Sequence, residues 1–227
     1  WIIMYDIVFI SYQEPNADEN FNKLKERFPM VKRVHGVKGL HQAHINAAKK
    51  CFTNMFWVVD ADAIILDDFN FEYNVPSHQL DHVHVWRTQN PINDLVYGYG
   101  GVKLLPRKLT LSVDINSADM TTSISKNFIA MPDISNITAF NTDPFNTYKS
   151  AFRECAKLSS KVIKGQHDEE TEKRLETWCT VGKTRPYGLY ALAGAISGRK
   201  FGMASGSNIA LINDFDWLKD QFDAASF

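Results

Sequence analysis

The stretch Met55-Phe56-Trp57-Val58-Val59-Asp60-Ala61-Asp62 decides the fold. Five consecutive apolar residues, four of them β-branched or aromatic, read as a strand buried on both faces. That strand runs straight into two carboxylates one residue apart. Working back, Gly39 to Phe52 reads as a helix, with Leu40, Ala43, His44, Ala47, Ala48 and Cys51 on one face. Before it, Val31 to Val37 is a short strand candidate. Phe21, Leu24 and Phe28 repeat at helical spacing up to Pro29, and Tyr5 to Ser11 is another apolar strand. The order strand, helix, strand, helix, strand predicts a parallel sheet with crossover helices. In such sheets ligands bind beyond the carboxyl ends of the strands, where Ser11-Tyr12 and Asp60-Ala61-Asp62 both fall.

Working forward, Asp81 to Thr88 alternates polar and apolar residues, as a half-exposed strand does. Tyr97 to Leu105 is strand-like but carries Gly98, Gly100 and Gly101, the pattern of a bulge or a close backbone approach. Lys126 to Met131 is a further strand candidate. From Phe145 onward the chain is helical: Phe145, Tyr148, Phe152, Cys155 and Val162 are helically spaced, as are Thr171, Leu175, Trp178 and Cys179. Pro186 to Gly198 reads as a small-residue helix, and Asp214 as the N-cap of a final helix. The 227 residues are expected to form a single domain with two functional halves, 1–110 and 111–227, the second mostly helical.

Composition limits the partners. With 25 Lys+Arg against 26 Asp+Glu the formal net charge is −1, so no global field draws the chain to nucleic acid or to an anionic membrane. The three cysteines, Cys51, Cys155 and Cys179, show no paired spacing and read as reduced thiols of a cytoplasmic protein. Trp1 to Phe9 has neither the basic flank nor the cleavage site of a signal peptide, and no apolar run is long enough to span a bilayer.

Asp60 and Asp62 are the strongest chemical signal. Hard cations such as Mg²⁺ and Mn²⁺ take oxygen ligands, and Mg²⁺ is usually held by one or two carboxylates plus substrate phosphates. The plainer reading, two aspartates capping a turn, is weakened by the apolar strand that delivers them.

This layout resembles the GT-A class of nucleotide-sugar-dependent glycosyltransferases. Their hallmark is a DxD triplet at the end of such a strand. Gly39, Ala43 and Asn46 in KGLHQAHINAA are similar to the segment preceding that strand in many members. YGYGGVKLLP also looks like segments of glycosyltransferase-like proteins of tailed bacteriophages. The resemblance implies a GT-A fold and a nucleotide-sugar donor, with a UDP-sugar expected, and Mn²⁺ or Mg²⁺ held by Asp60 and Asp62. A late-loop histidine, His167, would complete the metal set. It implies donor contacts from Ser11, Tyr12, Glu14, Lys38, Asn46, Asp60, Ala61 and Asp62, and an acceptor side near Gly100, Gly101 and Lys103. Asp143, just before an acceptor-side helix, is the expected base if the reaction inverts configuration; as Asp-Pro it is equally an ordinary helix cap. DNA with a modified base and a glycan are the acceptors considered, and a phage-encoded protein would act in the host cytoplasm. Lys103, Arg107, Lys108, Arg185, Arg199 and Lys200 would form a basic groove or simply solvated faces. Two other readings stand beside this one. A nucleotidyltransferase is disfavoured because SYQEPNADEN lacks a glycine- and arginine-rich phosphate loop. A binding module without turnover is the other.

Overall fold

The computed structural model describes residues 4–116, 120–161, 168–204 and 206–225. The chain divides into two compact units, one comprising Trp1–Gln89, Val96–Ile115 and Met120–Ala139, the other Asn90–Leu95, Asn116–Asp119 and Phe140–Phe227.

The first unit is a mixed α/β layer structure. Its strands are β1 (Asp6–Ser11), β2 (Lys32–His35), β3 (Met55–Asp60), β4 (Ala63–Ile65), β5 (Val83–Gln89), β6 (Val96–Pro106) and β7 (Phe128–Thr138). They form one sheet in the order β2-β1-β3-β6-β5-β7-β4. β1 pairs in parallel with β2 and β3, through the crossover helices α1 (Ala17–Arg27) and α2 (Leu40–Lys49), as the sequence predicts. Beyond β3 the sheet becomes mixed. β6 runs antiparallel to both β3 and β5, β7 is parallel to β5, and β4 is antiparallel to β7. β1, β2, β3, β5 and β7 therefore point the same way, and their carboxyl ends share one edge.

Burial explains the register. Met55 to Val59 are at most 1% exposed, so β3 is packed on both faces. Trp57 and Val59 join Phe9, Leu24, Val102, Leu104 and Trp86 on one face. Val8, Phe56, Val58, Ala47, Ala48 and Leu105 fill the other, toward α2. Trp57 and Trp86 lie with ring centroids 4.5 Å apart, and Phe71 meets Trp57 edge-on at 5.3 Å. β5 departs from its half-exposed expectation: Val83, His84, Val85 and Trp86 are all buried, because β6 and β7 flank it. Its alternation of histidine and valine reflects two packed faces rather than one wet one.

At the opposite edge, Asp6 ties the start of β1 to its neighbours. Its carboxylate accepts from Lys32 Nζ and from the backbone amides of Phe52 and Thr53. Burial would raise its pKa, but these donors outweigh burial and hold it down at about 2.

The second unit is helical: α5 (Pro144–Ser160), α6 (Asp168–Thr180), α7 (Gly188–Met203) and α8 (Phe215–Ala224). (The short α3, Arg107–Leu111, and α4, Met120–Ile124, precede it in the chain.) Asp214 caps α8 as expected, its Oδ1 accepting from the amides of Asp216 and Trp217 at 3.1 Å each. α7 packs on α5 through small residues: a Cβ at Gly194 or Gly198 would overlap the carbonyl oxygens of Tyr148 and Phe152. Phe152, Phe201 and Trp217 form the aromatic core beside that contact.

Because the obstruction at Gly198 is backbone, an added methyl must push the two helices apart. Gly198→Ala should therefore lower stability by about 1–3 kcal/mol despite alanine's better helix propensity. Urea unfolding followed by circular dichroism measures it, and an unchanged midpoint would contradict the close packing described here.

Candidate active site at the carboxyl edge of the sheet

β3 delivers Asp60 at its last position, opposite Ile10 of β1, and the chain then turns through Ala61 and Asp62 into β4. The turn is fixed from two sides. Asn20, buried on α1, donates its Nδ2 to the Ala61 carbonyl at 2.8 Å. The Ala139 amide, just past the end of β7, donates to the Asp62 carbonyl at 2.6 Å. Asn16 in turn donates to the Ala139 carbonyl at 3.1 Å. Between β5 and β7, Thr88, Asn136 and Thr138 form a buried hydrogen-bonded set, with Thr88 Oγ1 2.8 Å from both the Asn136 carbonyl and Thr138 Oγ1.

The two carboxylates of the triplet have different surroundings. Asp60 is held by Lys103 of β6, whose Nζ donates to Oδ1 at 2.8 Å and Oδ2 at 2.9 Å. The same ammonium donates to the Gly100 carbonyl at 2.5 Å. The Lys103 side chain is only 5% exposed, so Asp60 is its principal charge compensation. Gly100 adopts φ +92°, a conformation that turns its carbonyl toward Lys103 and disfavours any other residue. At Gly101 a Cβ would stand 2.6 Å from Asn136 Nδ2, so the β6 bulge approaches β7 closely. Lys103, expected on the acceptor side, is instead a buried positioning group behind Asp60. Arg107, which donates Nε to the Ala48 carbonyl at 3.0 Å, is partly buried and follows the end of β6, where Pro106 pairs with Met55 at the opposite edge of the sheet from Asp60.

Asp62 carries the strain of the site. Burial, then the charges of Asp60 and Glu14, push its carboxyl up to about 7, against a smaller opposing pull from Lys103. Glu14 sits close by because its Oε2 accepts from the Tyr12 amide at 2.7 Å, which folds the β1–α1 loop back on itself. On the α2 side, burial and the Lys103 charge push His44 down to about 3, so its imidazole is neutral; Nδ1 lies 2.8 Å from the Leu40 carbonyl.

The other expected donor residues are placed as follows. Ser11 is 3% exposed, and its hydroxyl accepts from Arg33 Nε at 3.0 Å and lies 2.9 Å from His35 Nδ1, which leaves it a role in fixing the strand ends. Tyr12 is half-buried at the edge. Lys38 is exposed in the β2–α2 loop, and Asn46 lies on α2, its Oδ1 accepting from Gln42 at 3.1 Å. Asp143 belongs to the second unit, as the N-cap of α5; Oδ1 accepts from the Asn146 amide at 2.8 Å and Oδ2 from Asn146 Nδ2 at 2.5 Å. His167 lies outside the described residues. Asn20, Ala139 and the Lys103–Asp60 pair were not anticipated from sequence, since they depend on which elements meet.

Away from this edge, on the Trp57 face of the sheet, a cavity of about 210 Å³ is lined by Trp57, Phe69, Tyr73 and Trp86 together with Glu72 and Asp133.

The edge site suits a hard divalent cation. Asp60 and Asp62 offer carboxylate oxygens, and the repulsion at Asp62 is relieved by a positive charge bound there. Among the described residues no three acidic, histidine or cysteine side chains converge as a complete metal cage. A cation held here would share its shell with a ligand, as is usual when phosphates supply the remaining oxygens.

No protein-family model and no curated protein matches the chain. Among solved structures it is similar to the mannosyltransferase PcManGT from Pyrobaculum calidifontis in complex with GDP-Man and Mn²⁺, at 11% identity and TM-score 0.44 over 98% of this chain and 89% of that one. It is also similar to HddC from Yersinia pseudotuberculosis, at 14% identity and TM-score 0.38 over 58% of this chain and 90% of that one. At this degree of similarity neither neighbour assigns a residue or a ligand to this chain.

Two substitutions separate the roles of the aspartates in the metal-free protein. Asp60→Ala strands the Lys103 ammonium and should cost about 3 kcal/mol. Asp62→Asn should stabilise. The folded-state pKa of about 7 lies above the ordinary 3.8, so wild-type loses stability as the pH rises through that interval. The gain from Asp62→Asn is therefore largest above pH 7, roughly 2–4 kcal/mol, and fades toward about pH 4. Urea midpoints across pH measure both; a gain that does not change with pH would contradict the raised pKa of Asp62.

Proposed function

We propose that this chain is a metal-dependent glycosyltransferase that moves a sugar from a nucleoside diphosphate sugar to an acceptor hydroxyl. The observation that carries the reading is the Asp60-Ala61-Asp62 turn. It offers one carboxylate fixed by a buried lysine and one left in surplus negative charge, at the edge where parallel strands end. The GT-A resemblance of the sequence supports the same reading, as does the α/β layering of the first unit.

Asp60 and Asp62 would hold Mn²⁺ or Mg²⁺, which would supply charge neutralisation for the departing diphosphate. Lys103 keeps the Asp60 carboxylate at a fixed angle, so the site does not reorganise as charge develops. Asn20 and the Ala139 amide hold the turn rigid for the same purpose. Tyr12, on the loop folded back by Glu14, offers an aromatic face for the nucleobase, a UDP-sugar being the expected donor. Its role, with those of Lys38 and Asn46, is to orient the nucleoside and phosphates. Asp143 is the base candidate for an inverting reaction, taking the proton from the acceptor oxygen as it attacks. The acceptor is a glycan or a hydroxyl on a modified base of DNA; the buried Lys103 serves Asp60 rather than the acceptor.

Incubation with nucleotide-sugars and Mn²⁺, followed by chromatography for released nucleoside diphosphate, tests the reading without knowledge of the acceptor, since slow hydrolysis substitutes for transfer. Asp62→Ala should abolish release. Asp143→Asn preserves the cap, because asparagine caps as well as aspartate. It should leave the melting temperature unchanged while cutting activity at least about 100-fold if Asp143 is the base. Unchanged activity would assign Asp143 to the cap alone. Release that is independent of both Mn²⁺ and Asp62 would contradict the proposal.

A further inference from the structure

Two of the three cysteines meet in the second unit. Cys155 lies on α5 and is fully buried, whereas Cys179, near the end of α6, is partly exposed. Their side chains hydrogen-bond to each other across the contact between the two helices. Cys179, itself partly exposed, also borders an open depression of about 520 Å³ lined by Ile196, Arg199, Lys200 and Met203 of α7. Arg199 hydrogen-bonds to the Cys179 sulfur and pairs with Glu172 at 3.1 Å and Glu176 at 3.6 Å. The depression thus carries Lys200, and the acid-paired Arg199, beside a thiol that is backed by a second thiol.

We propose that Cys179 and Cys155 form a dithiol site that reacts with anionic low-molecular-weight disulfides of the glutathione type, Cys179 attacking and Cys155 resolving. The chemistry of the pair fits those roles. The hydrogen bond from Cys155 leads in pulling Cys179 down to about 7, with help from Arg199, while burial and Glu176 oppose; the thiolate is abundant near neutral pH. Burial above all, then the neighbouring Cys179, hold Cys155 well above the ordinary thiol range, so it waits as the proton donor. Once the Cys179 sulfur is capped its charge is gone, and Cys155 is freed from that repulsion while already in place.

The step balances. The Cys179 thiolate attacks one sulfur of the disulfide RSSR, the S–S bond breaks, and RS⁻ leaves and takes a proton from water. Cys155 then gives its proton to solvent and attacks the Cys179 sulfur, expelling the second RS⁻. Two protein thiols are oxidised by two electrons, and one RSSR is reduced to two RSH. Lys200, which lines the depression, favours carboxylate-bearing R groups, while Arg199 is shared among Glu172, Glu176 and the Cys179 sulfur. Cys51 is the internal control: it is 1% exposed, its sulfur donates to the Ala47 carbonyl at 3.2 Å, and burial with the Asp6 charge pushes it up to about 12.

The test treats the reduced full chain with oxidised glutathione and maps the products by non-reducing peptide mass spectrometry. Wild-type should lose two hydrogens and yield a Cys155–Cys179 linked peptide, with Cys51 unmodified. Cys155→Ser should stop at a glutathione adduct on Cys179, and Cys179→Ser should leave Cys155 and Cys51 unreacted. A stable adduct in wild-type with no linked peptide would overturn the resolving role. A second measurement needs no variant: iodoacetamide at neutral pH should alkylate Cys179 of the folded wild-type at least roughly tenfold faster than Cys51. Equal rates would overturn the proposal.

Discussion

The ion pair between Lys103 and Asp60 is the constraint on which the edge of the sheet depends. A lysine cannot sit with its ammonium buried unless an anion meets it, and here the anion is the last residue of the central strand. The pair fixes the β3–β6 register at the site, recruits the Gly100 carbonyl through a positive-φ glycine, and takes up the charge of one aspartate of the triplet. What remains is Asp62, buried beside Asp60 and Glu14, whose charge Lys103 compensates only in part. An arrangement that stores repulsion at a rigid turn is unfavourable for the metal-free fold and favourable for a fold that binds a cation.

The rigidity has the same origin. The carbonyls of Ala61 and Asp62 are taken by a helix side chain and by the amide that follows β7, so the turn is clamped between α1 and the far part of the sheet. Each clamp depends on a long-range contact, and each breaks if the sheet order changes. The mixed topology, with β6 reversed between β3 and β5, is what carries Lys103 to Asp60. The helical unit follows a different logic: backbone contact at Gly194 and Gly198 of α7 sets how closely α5 approaches, and the aromatic cluster of Phe152, Phe201 and Trp217 fills the space beside it.

Much of the framework was legible in the residues. β1, α1, β2, α2 and β3 follow from apolar runs and helical spacing, and the α8 cap from a single aspartate. β5 was misjudged because a histidine counts as polar in a pattern, while His84 in the structure is buried beside Tyr73. β7 runs on past its predicted end because Pro132 and Asp133 sit in a bulge that interrupts the alternation without ending the strand. β4, α3 and α4 were missed because three to five residues hold too little periodicity to read. At the site, Asp60 and Asp62 were legible because an apolar strand ends on them. Lys103 and Asn20 were not, because a lysine in a glycine-rich strand and an asparagine on a helix both read as solvated until register and packing turn them inward.

The most direct test of the account is the melting temperature of wild-type and Asp62→Ala protein with a panel of nucleoside diphosphates and nucleotide-sugars, each with and without Mn²⁺. A ligand present at about 100 times its dissociation constant stabilises the folded state by roughly 2.7 kcal/mol, well within reach of such a measurement. The account predicts that one nucleotide raises the melting temperature of wild-type only when Mn²⁺ is present, and that Asp62→Ala abolishes the rise. Absence of any metal-dependent shift across the panel, or a shift that survives in Asp62→Ala, would contradict the assignment of the aspartate turn as the donor and metal site.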